Sequence, residues 1–158
     1  MSIEIYSDGS STLKPRVAGW ACALLRTDVK PLVLYGHLPG DTNNVGELLG
    51  LLVGCAMART LKQPVRLFSD SQYALGVIFG SDTAVANIEL VNAGRRLLES
   101  TQTPIEHKWI RGHTGIFGNE LADKYAKYGR HGTRVNPHDM DVKYYADKEA
   151  IMRIITNN

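Results

Sequence analysis

The chain has 158 residues, 44% of them hydrophobic, which is enough for one compact domain with its own core and too little for two. Its net charge of +2 is compatible with a nucleic-acid partner but falls short of a strongly basic surface. No basic segment followed by an apolar run opens the chain, and no apolar stretch approaches the ~20 residues that cross a bilayer, so we expect a soluble protein without a membrane partner. Cys22 and Cys55 lie inside apolar runs, so we expect buried thiols and a reducing, cytoplasmic setting.

The first forty residues carry the pattern of three strands. Short segments rich in β-type residues, bounded by turn residues, occur at 3–6, 17–25 and 31–38. Between the first two, segment 9–16 predicts an irregular loop. We therefore expect an antiparallel meander whose first strand ends near Asp8.

Helical spacing replaces the strand pattern in the next segment. Asn43 or Asn44 would cap a helix in which apolar residues recur every three to four positions. Gly50 and Gly54 within it each lower helix propensity by about 1 kcal/mol relative to alanine, so we expect them to allow close packing against the sheet. The apolar run 65–68 then predicts a buried strand, parallel to the first because a helical crossover connects the two.

The remaining segments alternate between helical and extended patterns. We predict helices at 73–79, 85–99, 119–128 and 144–155, a strand at 105–110 and an irregular segment at 129–141. The sequence contains no internal repeat.

Four carboxylates stand out because their predicted positions converge. Asp8 and Asp70 follow parallel strands, Glu47 lies near a helix start, and Asp123 lies about one turn into the helix after a glycine-rich loop. Sites in open α/β sheets form at the carboxyl ends of parallel strands. Four acids there would repel one another unless they surround cations, and oxygen ligands alone favour magnesium or manganese. A pair of such ions suits a phosphodiester displacement, so the natural substrate is a polynucleotide.

Each acid also has a structural interpretation. Asp8 is compatible with a turn, and Asp123 with an ion pair to Lys127 one helical turn away. Two pairs spaced by three residues fit capping boxes, and these are Asn44 with Glu47 and Ser69 with Gln72.

Motifs at these positions resemble those of the type 1 ribonuclease H family. The matching segments, in order and spacing, are YSDGS at 6–10, TNNVGEL at 42–48, SDSQY at 69–73, GH at 112–113 and NELAD at 119–123. The resemblance implies an α/β fold with a five-stranded mixed sheet, three antiparallel strands followed by two parallel additions, flanked by helices. It also implies hydrolysis of the RNA strand of an RNA–DNA hybrid duplex, yielding 5′-phosphate and 3′-hydroxyl ends.

The resemblance also assigns roles to individual residues. Asp8 would bridge two Mg²⁺ ions, for which Mn²⁺ can substitute, Asp123 would hold the ion at the attacking water, and Glu47 and Asp70 would serve the ion at the leaving group. His113 would assist proton transfer or product release, although a solvent-exposed loop histidine is the simpler interpretation. The substrate-binding residues would be Gly9, Ser10, Thr42, Asn43, Asn44, Gln72 and Asn119.

The chain departs from the family pattern at three places. Residues 11–16 replace most glycines of the loop after the first aspartate, and Gly40 stands where many members have an arginine that holds a DNA phosphate. Residues 80–92 contain no Lys, Arg or Trp, where bacterial members have a basic protrusion.

We expect a catalytic domain at residues 1–129 and an extension at 130–158 that belongs to the same compact unit. The basic residues of the extension would either contact the hybrid backbone or belong to a packed terminal helix, and these are Arg130, Arg134, Lys143, Lys148 and Arg153. We expect a monomer, with self-association through the last helix as an alternative. Two other functions remain open: a non-catalytic nucleic-acid-binding module, and a related nuclease that acts on structured RNA.

Overall fold

A computed structural model of the chain describes residues 3–156. The predicted domain limits at residues 1 and 158 lie outside the described residues. The described strands are β1 (Ile3–Leu13), β2 (Arg16–Arg26), β3 (Leu32–Pro39), β4 (Val65–Ser69), β5 (Ile105–Trp109) and β6 (Asp141–Tyr145). The helices are α1 (Asn43–Leu61), α2 (Gln72–Ile78), α3 (Ile88–Glu99), α4 (Phe117–His131) and α5 (Lys148–Thr156).

One mixed sheet joins all six strands in the order β5-β4-β1-β2-β3-β6. Strands β1, β2 and β3 form the predicted antiparallel meander. Strand β4 lies parallel to β1, which confirms the prediction made from the helical crossover, and β5 lies parallel to β4. The carboxyl ends of β1 and β4 therefore point the same way.

The loop predicted at 9–16 is wrong. Strands β1 and β2 pair without interruption from Ile3 opposite Arg26 to Leu13 opposite Arg16, and they form one long hairpin. The hydroxyl side chains of this segment are compatible with a strand, and Thr12 closes the turn by donating its Oγ1 hydrogen to the Pro15 carbonyl oxygen at 2.7 Å. Asp8 therefore lies in the middle of a strand rather than at its end.

The C-terminal segment also differs from its prediction. Residues 141–145 form β6, parallel to β3, so the sheet has six strands instead of five and the terminal helix begins only at Lys148. The cause is that successive side chains of a strand point to opposite faces of the sheet. Tyr144 packs on Tyr35 on one face, and Tyr145 packs on Trp20 on the other. These contacts make β6 an integral part of the sheet.

Helices cover both faces of the sheet. Helices α1, α2, α3 and α5 form one layer over a large core, and α4 covers the other face, where it packs on β1, β2 and β3. Cys22 and Cys55 are buried free thiols in the larger core, as predicted.

Helix α1 is long and apolar. It has 19 residues, and an 18-residue window within it has a mean hydropathy of 1.2, so by length and composition it is compatible with a membrane span, and the expectation that no stretch approaches that length is wrong. However, 72% of that window is buried inside the fold, which is typical of the core helix of a globular domain.

Candidate active site

Three of the four predicted carboxylates lie together. Asp8 on β1, Glu47 on α1 and Asp70 just after β4 each offer an oxygen, and these oxygens all lie within 4.8 Å of one another. Asp8 and Glu47 are buried, whereas Asp70 is partly exposed. The cluster therefore opens to solvent on the side of Asp70.

Glycines on α1 explain how Glu47 reaches the strand that carries Asp8. A Cβ atom on Gly46 would lie 2.6 Å from the Gly19 carbonyl oxygen of β2. One on Gly50 would lie 2.9 Å from the Ala21 carbonyl oxygen of β2 and 3.0 Å from the Asp8 carbonyl oxygen of β1. Only glycine allows this approach, because real Cβ atoms essentially never lie so close to another heavy atom. The close packing predicted for Gly50 is thus confirmed, and it brings the start of α1 down onto β1.

Asp70 is held by two contacts that involve its backbone and its side chain. The indole Nε1 of Trp109, the last residue of β5, donates to the Asp70 carbonyl oxygen at 3.1 Å. Gly112 lies so close that a Cβ atom there would be 2.6 Å from Asp70 Oδ2. The loop after β5 therefore forms one wall of the cluster.

Asp123 stands beside this cluster rather than inside it. It lies in the second turn of α4, where its carboxylate pairs with Lys127 Nζ at 3.1 Å, as the structural interpretation of the sequence predicted. It also shares a second group of candidate ligands with His113 and Glu120, whose ligand atoms again lie within 4.8 Å of one another. Its charge nevertheless reaches Asp8, whose pKa it helps to raise.

The two buried acids have strongly raised pKa values. Burial is the main cause for both, and the charge of Asp70 adds to it. Asp8 also raises the pKa of Glu47, while the Gly9 amide, which donates to Asp8 Oδ1 at 2.9 Å, partly stabilises the charged form of Asp8. A cation would reverse this repulsion and return both groups to their charged state.

The donor set fits a hard divalent cation. All three residues offer carboxylate oxygens, and Glu47 Oε2 is buried with no hydrogen-bond partner in the described part of the chain. Buried acceptors without a partner are rare in folded proteins and call for a specific explanation. Oxygen ligands of this type suit Mg²⁺ or Mn²⁺ better than zinc.

The loop before α4 carries His113 in an exposed position with φ of +59°. Its backbone nitrogen is 3.4 Å from Oδ1 of Asn119, which is buried, while Nδ2 of Asn119 has no partner within the described residues. Asn119 thus connects the loop to the helix and keeps one free donor.

The capping boxes predicted for α1 and α2 are wrong. The cap of α1 is Thr42, whose side chain accepts from the Val45 nitrogen, and the cap of α2 is Ser71. Asn43, Asn44 and Gln72 lie instead in the exposed first turns of these helices. Their amide groups are therefore not used for capping.

Ser10 and Gly9 have structural partners that the sequence did not reveal. Ser10 is buried and accepts a hydrogen bond from Arg130 Nη1 at 2.9 Å. A Cβ atom on Gly9 would lie 2.6 Å from the Glu47 nitrogen, so packing of α1 alone requires a glycine here.

Sequence reasoning missed two residues near the site and the partner of a third. Glu120 and Trp109 were not among the predicted site residues. Arg130 was predicted only as a basic residue of the extension, and its contact with Ser10 was not predicted. Glu120 lies inside the NELAD segment, and Trp109 lies three residues before Gly112. The signal for Arg130 is absent from local sequence, because its partner Ser10 is 120 residues away.

Comparison with known proteins agrees with the fold and the motifs. The sequence profile of the RNase H family matches residues 1–131. The chain is 32% identical over 143 residues to the ribonuclease H of Albidiferax ferrireducens, a match that covers 81% of this chain and 93% of that protein. It is also 32% identical over 140 residues to the ribonuclease HI of Pseudomonas aeruginosa, covering 80% and 92% respectively.

A solved structure shares the fold at lower identity. The crystal structure of RNase H1 from the halophilic archaeon Halobacterium salinarum superposes with a TM-score of 0.68 and 20% identity, covering 84% of this chain and 100% of that one. The family profile and the two related sequences identify the family, and the solved structure agrees with the fold. The chain belongs to the type 1 ribonuclease H family.

Proposed function

We propose that this protein is an endonuclease that hydrolyses the RNA strand of RNA–DNA hybrids with the help of divalent cations. The observation that carries the proposal is the carboxylate cluster of Asp8, Glu47 and Asp70. Two of its acids are buried with raised pKa values, and Glu47 Oε2 has no hydrogen-bond partner among the residues that the structure describes. Such an arrangement is unfavourable without a cation and is suited to binding one.

We further propose that the family's ligand assignment holds for this chain. Asp8 would be the ligand shared by two Mg²⁺ ions, Glu47 and Asp70 would hold the ion at the leaving group, and Asp123 the ion at the attacking water. When bound, two such ions would activate a water molecule and stabilise charge on the leaving oxygen. Hydrolysis would then give 5′-phosphate and 3′-hydroxyl ends. Asp123 pairs with Lys127 through Oδ2, so an ion would bind through Oδ1 or compete with Lys127.

His113 is proposed to move protons rather than to bind an ion. It is exposed on a loop and lies close to Asp123 and Glu120, so its ring can exchange protons between solvent and this side of the site. Loss of His113 should slow the reaction without abolishing it.

Recognition of the hybrid would use the exposed amides near the site. Asn43, Asn44 and Gln72 lie at helix starts on either side of the cluster and are free to donate to base edges and 2′-hydroxyl groups in the minor groove. Their exposure and their freedom from capping support this role. Thr42, Ser10, Gly9 and Asn119 would contribute through backbone or hydroxyl groups, in addition to the structural contacts described above.

We also propose that the protein acts as a monomer in the cytoplasm. Both cysteines are buried free thiols, which agrees with a reducing compartment.

One assay with several substrates tests the function. The protein is incubated with Mg²⁺ and end-labelled RNA–DNA hybrid, double-stranded RNA or double-stranded DNA, with Asp70→Asn as the matched control. We expect the wild type to cleave only the RNA strand of the hybrid, and the variant to cleave nothing. The products should carry 5′-phosphate ends, so treatment with a phosphatase should change their electrophoretic mobility. Binding without cleavage would support a non-catalytic module, and preferential cleavage of double-stranded RNA would support the nuclease for structured RNA.

A further inference from the structure

A basic cleft lies at the far end of the β1–β2 hairpin, away from the carboxylates. It has a volume of about 510 Å³, and five cationic or imidazole side chains line it: Lys14, Arg16, His37, Arg130 and His131. No acidic residue lines the cleft among the described residues, and none of the five forms an ion pair with any described carboxylate. This concentration of positive charge is unusual in a chain whose net charge is only +2.

Arg130 connects the cleft to the catalytic strand. Its Nη1 donates to Ser10 Oγ at 2.9 Å, its Nη2 lies 3.1 Å from His131 Nε2, and its Nε is buried and has no partner among residues 3–156. The side chain of Arg130 is partly exposed and lines the cleft, so its guanidinium can offer N–H donors to a ligand there. Because guanidinium groups bind phosphates through paired N–H donors, a phosphate is a suitable acceptor.

His37 is fixed in a similar way. Its Nδ1 lies 2.8 Å from the Gly129 carbonyl oxygen, which can only accept, so the ring donates from Nδ1 and keeps Nε2 for another partner. The end of α4 thus holds both Arg130 and His37 in place before any ligand arrives.

Stabilisation of the α4 C-terminus explains only part of this cluster. Arg130 and His131 lie in the last turn, where cations interact favourably with the helix dipole. Lys14 and Arg16 belong to the hairpin turn and are exposed, so the helix dipole gives no reason for their presence.

The cleft lies close enough to the carboxylates for one duplex to contact both. Thr12, which lines the cleft, is four residues beyond Asp8 on the same strand, and a strand rises about 3.3 Å per residue, so Thr12 lies about 13 Å from Asp8 along β1. A duplex of several base pairs is longer than this distance, since each base step advances about 3.4 Å along the duplex axis.

We propose that the basic cleft binds the phosphodiester backbone of the hybrid on one side of the bond that is cut. The inference rests on the proposed function, since it takes the hybrid to be the substrate. It also gives the chain a source of backbone affinity, because residues 80–92 offer no cation for that purpose.

Charge reversal at the hairpin turn tests the proposal. The double variant Lys14→Glu/Arg16→Glu is compared with Arg96→Glu, which changes an exposed arginine of α3 on the opposite side of the sheet. Equilibrium binding of hybrid is measured without divalent cation, so that no strand is cut, over a range of salt concentrations. We expect the double variant to bind about tenfold more weakly with a shallower salt dependence, and Arg96→Glu to match the wild type within about twofold.

Hybrids of different lengths locate the contact. Each hybrid carries a short ribonucleotide segment that fixes the cleavage position. In one series the duplex is shortened to two base pairs on one side of that segment, and in a second series it is shortened on the other side. The defect of the double variant should disappear when one particular side is shortened and persist when the other is. Equal binding by the wild type and a folded double variant, or a defect that is independent of both lengths, would overturn the proposal.

The two proposals fail in different ways. If the wild type binds hybrid but does not cut it with Mg²⁺, the proposed function is wrong, while the binding comparison still decides whether the cleft is used. If the wild type cuts hybrid and the double variant binds and cuts it equally well, only the cleft proposal is wrong.

Discussion

The backbone of Gly9 lies so close to that of Glu47 that a Cβ atom on Gly9 would be 2.6 Å from the Glu47 nitrogen. This contact joins the strand that carries Asp8 to the helix that carries Glu47. Gly9 directly follows Asp8, and the backbone atom it approaches belongs to Glu47 itself. The position of the two buried carboxylates relative to each other therefore depends on a glycine.

Gly9→Ala should consequently damage both stability and activity. The added methyl group has backbone atoms as its neighbours, which cannot rotate away, so α1 must shift. We expect a loss of about 1–3 kcal/mol in the free energy of unfolding, together with a large drop in hybrid cleavage. Ser11→Ala, two residues further along the same strand, is the control and should change both by little. An alanine variant with wild-type melting temperature and rate would show that the contact is unimportant.

Glu47→Gln should stabilise the protein in the absence of divalent cations while removing activity. Burial and the neighbouring charges of Asp8 and Asp70 raise the pKa of Glu47, so its charged form opposes folding at neutral pH. Denaturant unfolding at pH 8 in EDTA should show a gain of about 1–2 kcal/mol. Asp8→Asn should likewise stabilise the protein in EDTA. A marked loss of stability in Glu47→Gln would instead assign Glu47 a structural role.

Stability without divalent cations should fall as pH rises. Asp8 and Glu47 have higher pKa values in the folded than in the unfolded chain, so the folded state binds more protons. Their contribution to stability is therefore complete below the ordinary carboxyl pKa of about 4. It is lost as the pH rises towards the raised pKa values of the folded state. Melting temperatures from pH 5 to 8 should therefore decrease in EDTA, and the decrease should be smaller in Asp8→Asn/Glu47→Gln. Saturating Mg²⁺ should restore stability at pH 8. A rise in melting temperature with pH in EDTA is the opposite sign and would contradict this account.

Trp109→Phe should reduce activity more than stability. Phenylalanine keeps most of the aromatic surface but removes the N–H that donates to the Asp70 carbonyl oxygen, so Asp70 loses one of its positional constraints. We expect a loss of about 1 kcal/mol in unfolding free energy and a reduction of roughly tenfold in kcat with little change in KM. Phe117→Leu, an exposed aromatic residue at the start of α4, serves as the control for general loss of aromatic surface. Equal effects of both variants would indicate that the hydrogen bond does not position Asp70.

Removal of residues 141–158 should unfold or strongly destabilise the protein. Strand β6 pairs with β3 along five residues, and Tyr145, Ile151 and Ile155 are buried in the larger core. Deletion would expose Trp20, which Tyr145 covers, and would leave β3 as an open edge. Circular dichroism and thermal melting of the truncated chain check this, and a cooperative transition at the wild-type temperature would show that the extension is dispensable.

The sequence predicted the convergence of three carboxylates better than it predicted the local backbone. Motif order and spacing singled out Asp8, Glu47 and Asp70, and Asp8 comes beside Asp70 because β1 lies parallel to β4 with Ser7 opposite Ser69. The same reasoning treated residues 9–16 as a loop, because Lys14, Pro15 and Arg16 resemble a turn and the pairing partner of a strand cannot be read locally.

Long-range packing explains the other differences. Residues 141–145 become a strand because Tyr144 and Tyr145 find aromatic partners on opposite faces of the sheet, more than 100 residues away in sequence. The contacts of Gly9 with Glu47, and of Arg130 with Ser10, likewise depend on the assembled layers. None of these pairs has a local sequence signature.

A time course of hybrid cleavage tests the central claim most directly. Wild-type protein and Asp8→Asn, both shown to be folded, are incubated at equal concentration with end-labelled RNA–DNA hybrid, once with Mg²⁺ and once with EDTA. The account predicts cleavage of the RNA strand only by the wild type and only with Mg²⁺. Cleavage by Asp8→Asn at the wild-type rate, or cleavage by the wild type in EDTA, would contradict it.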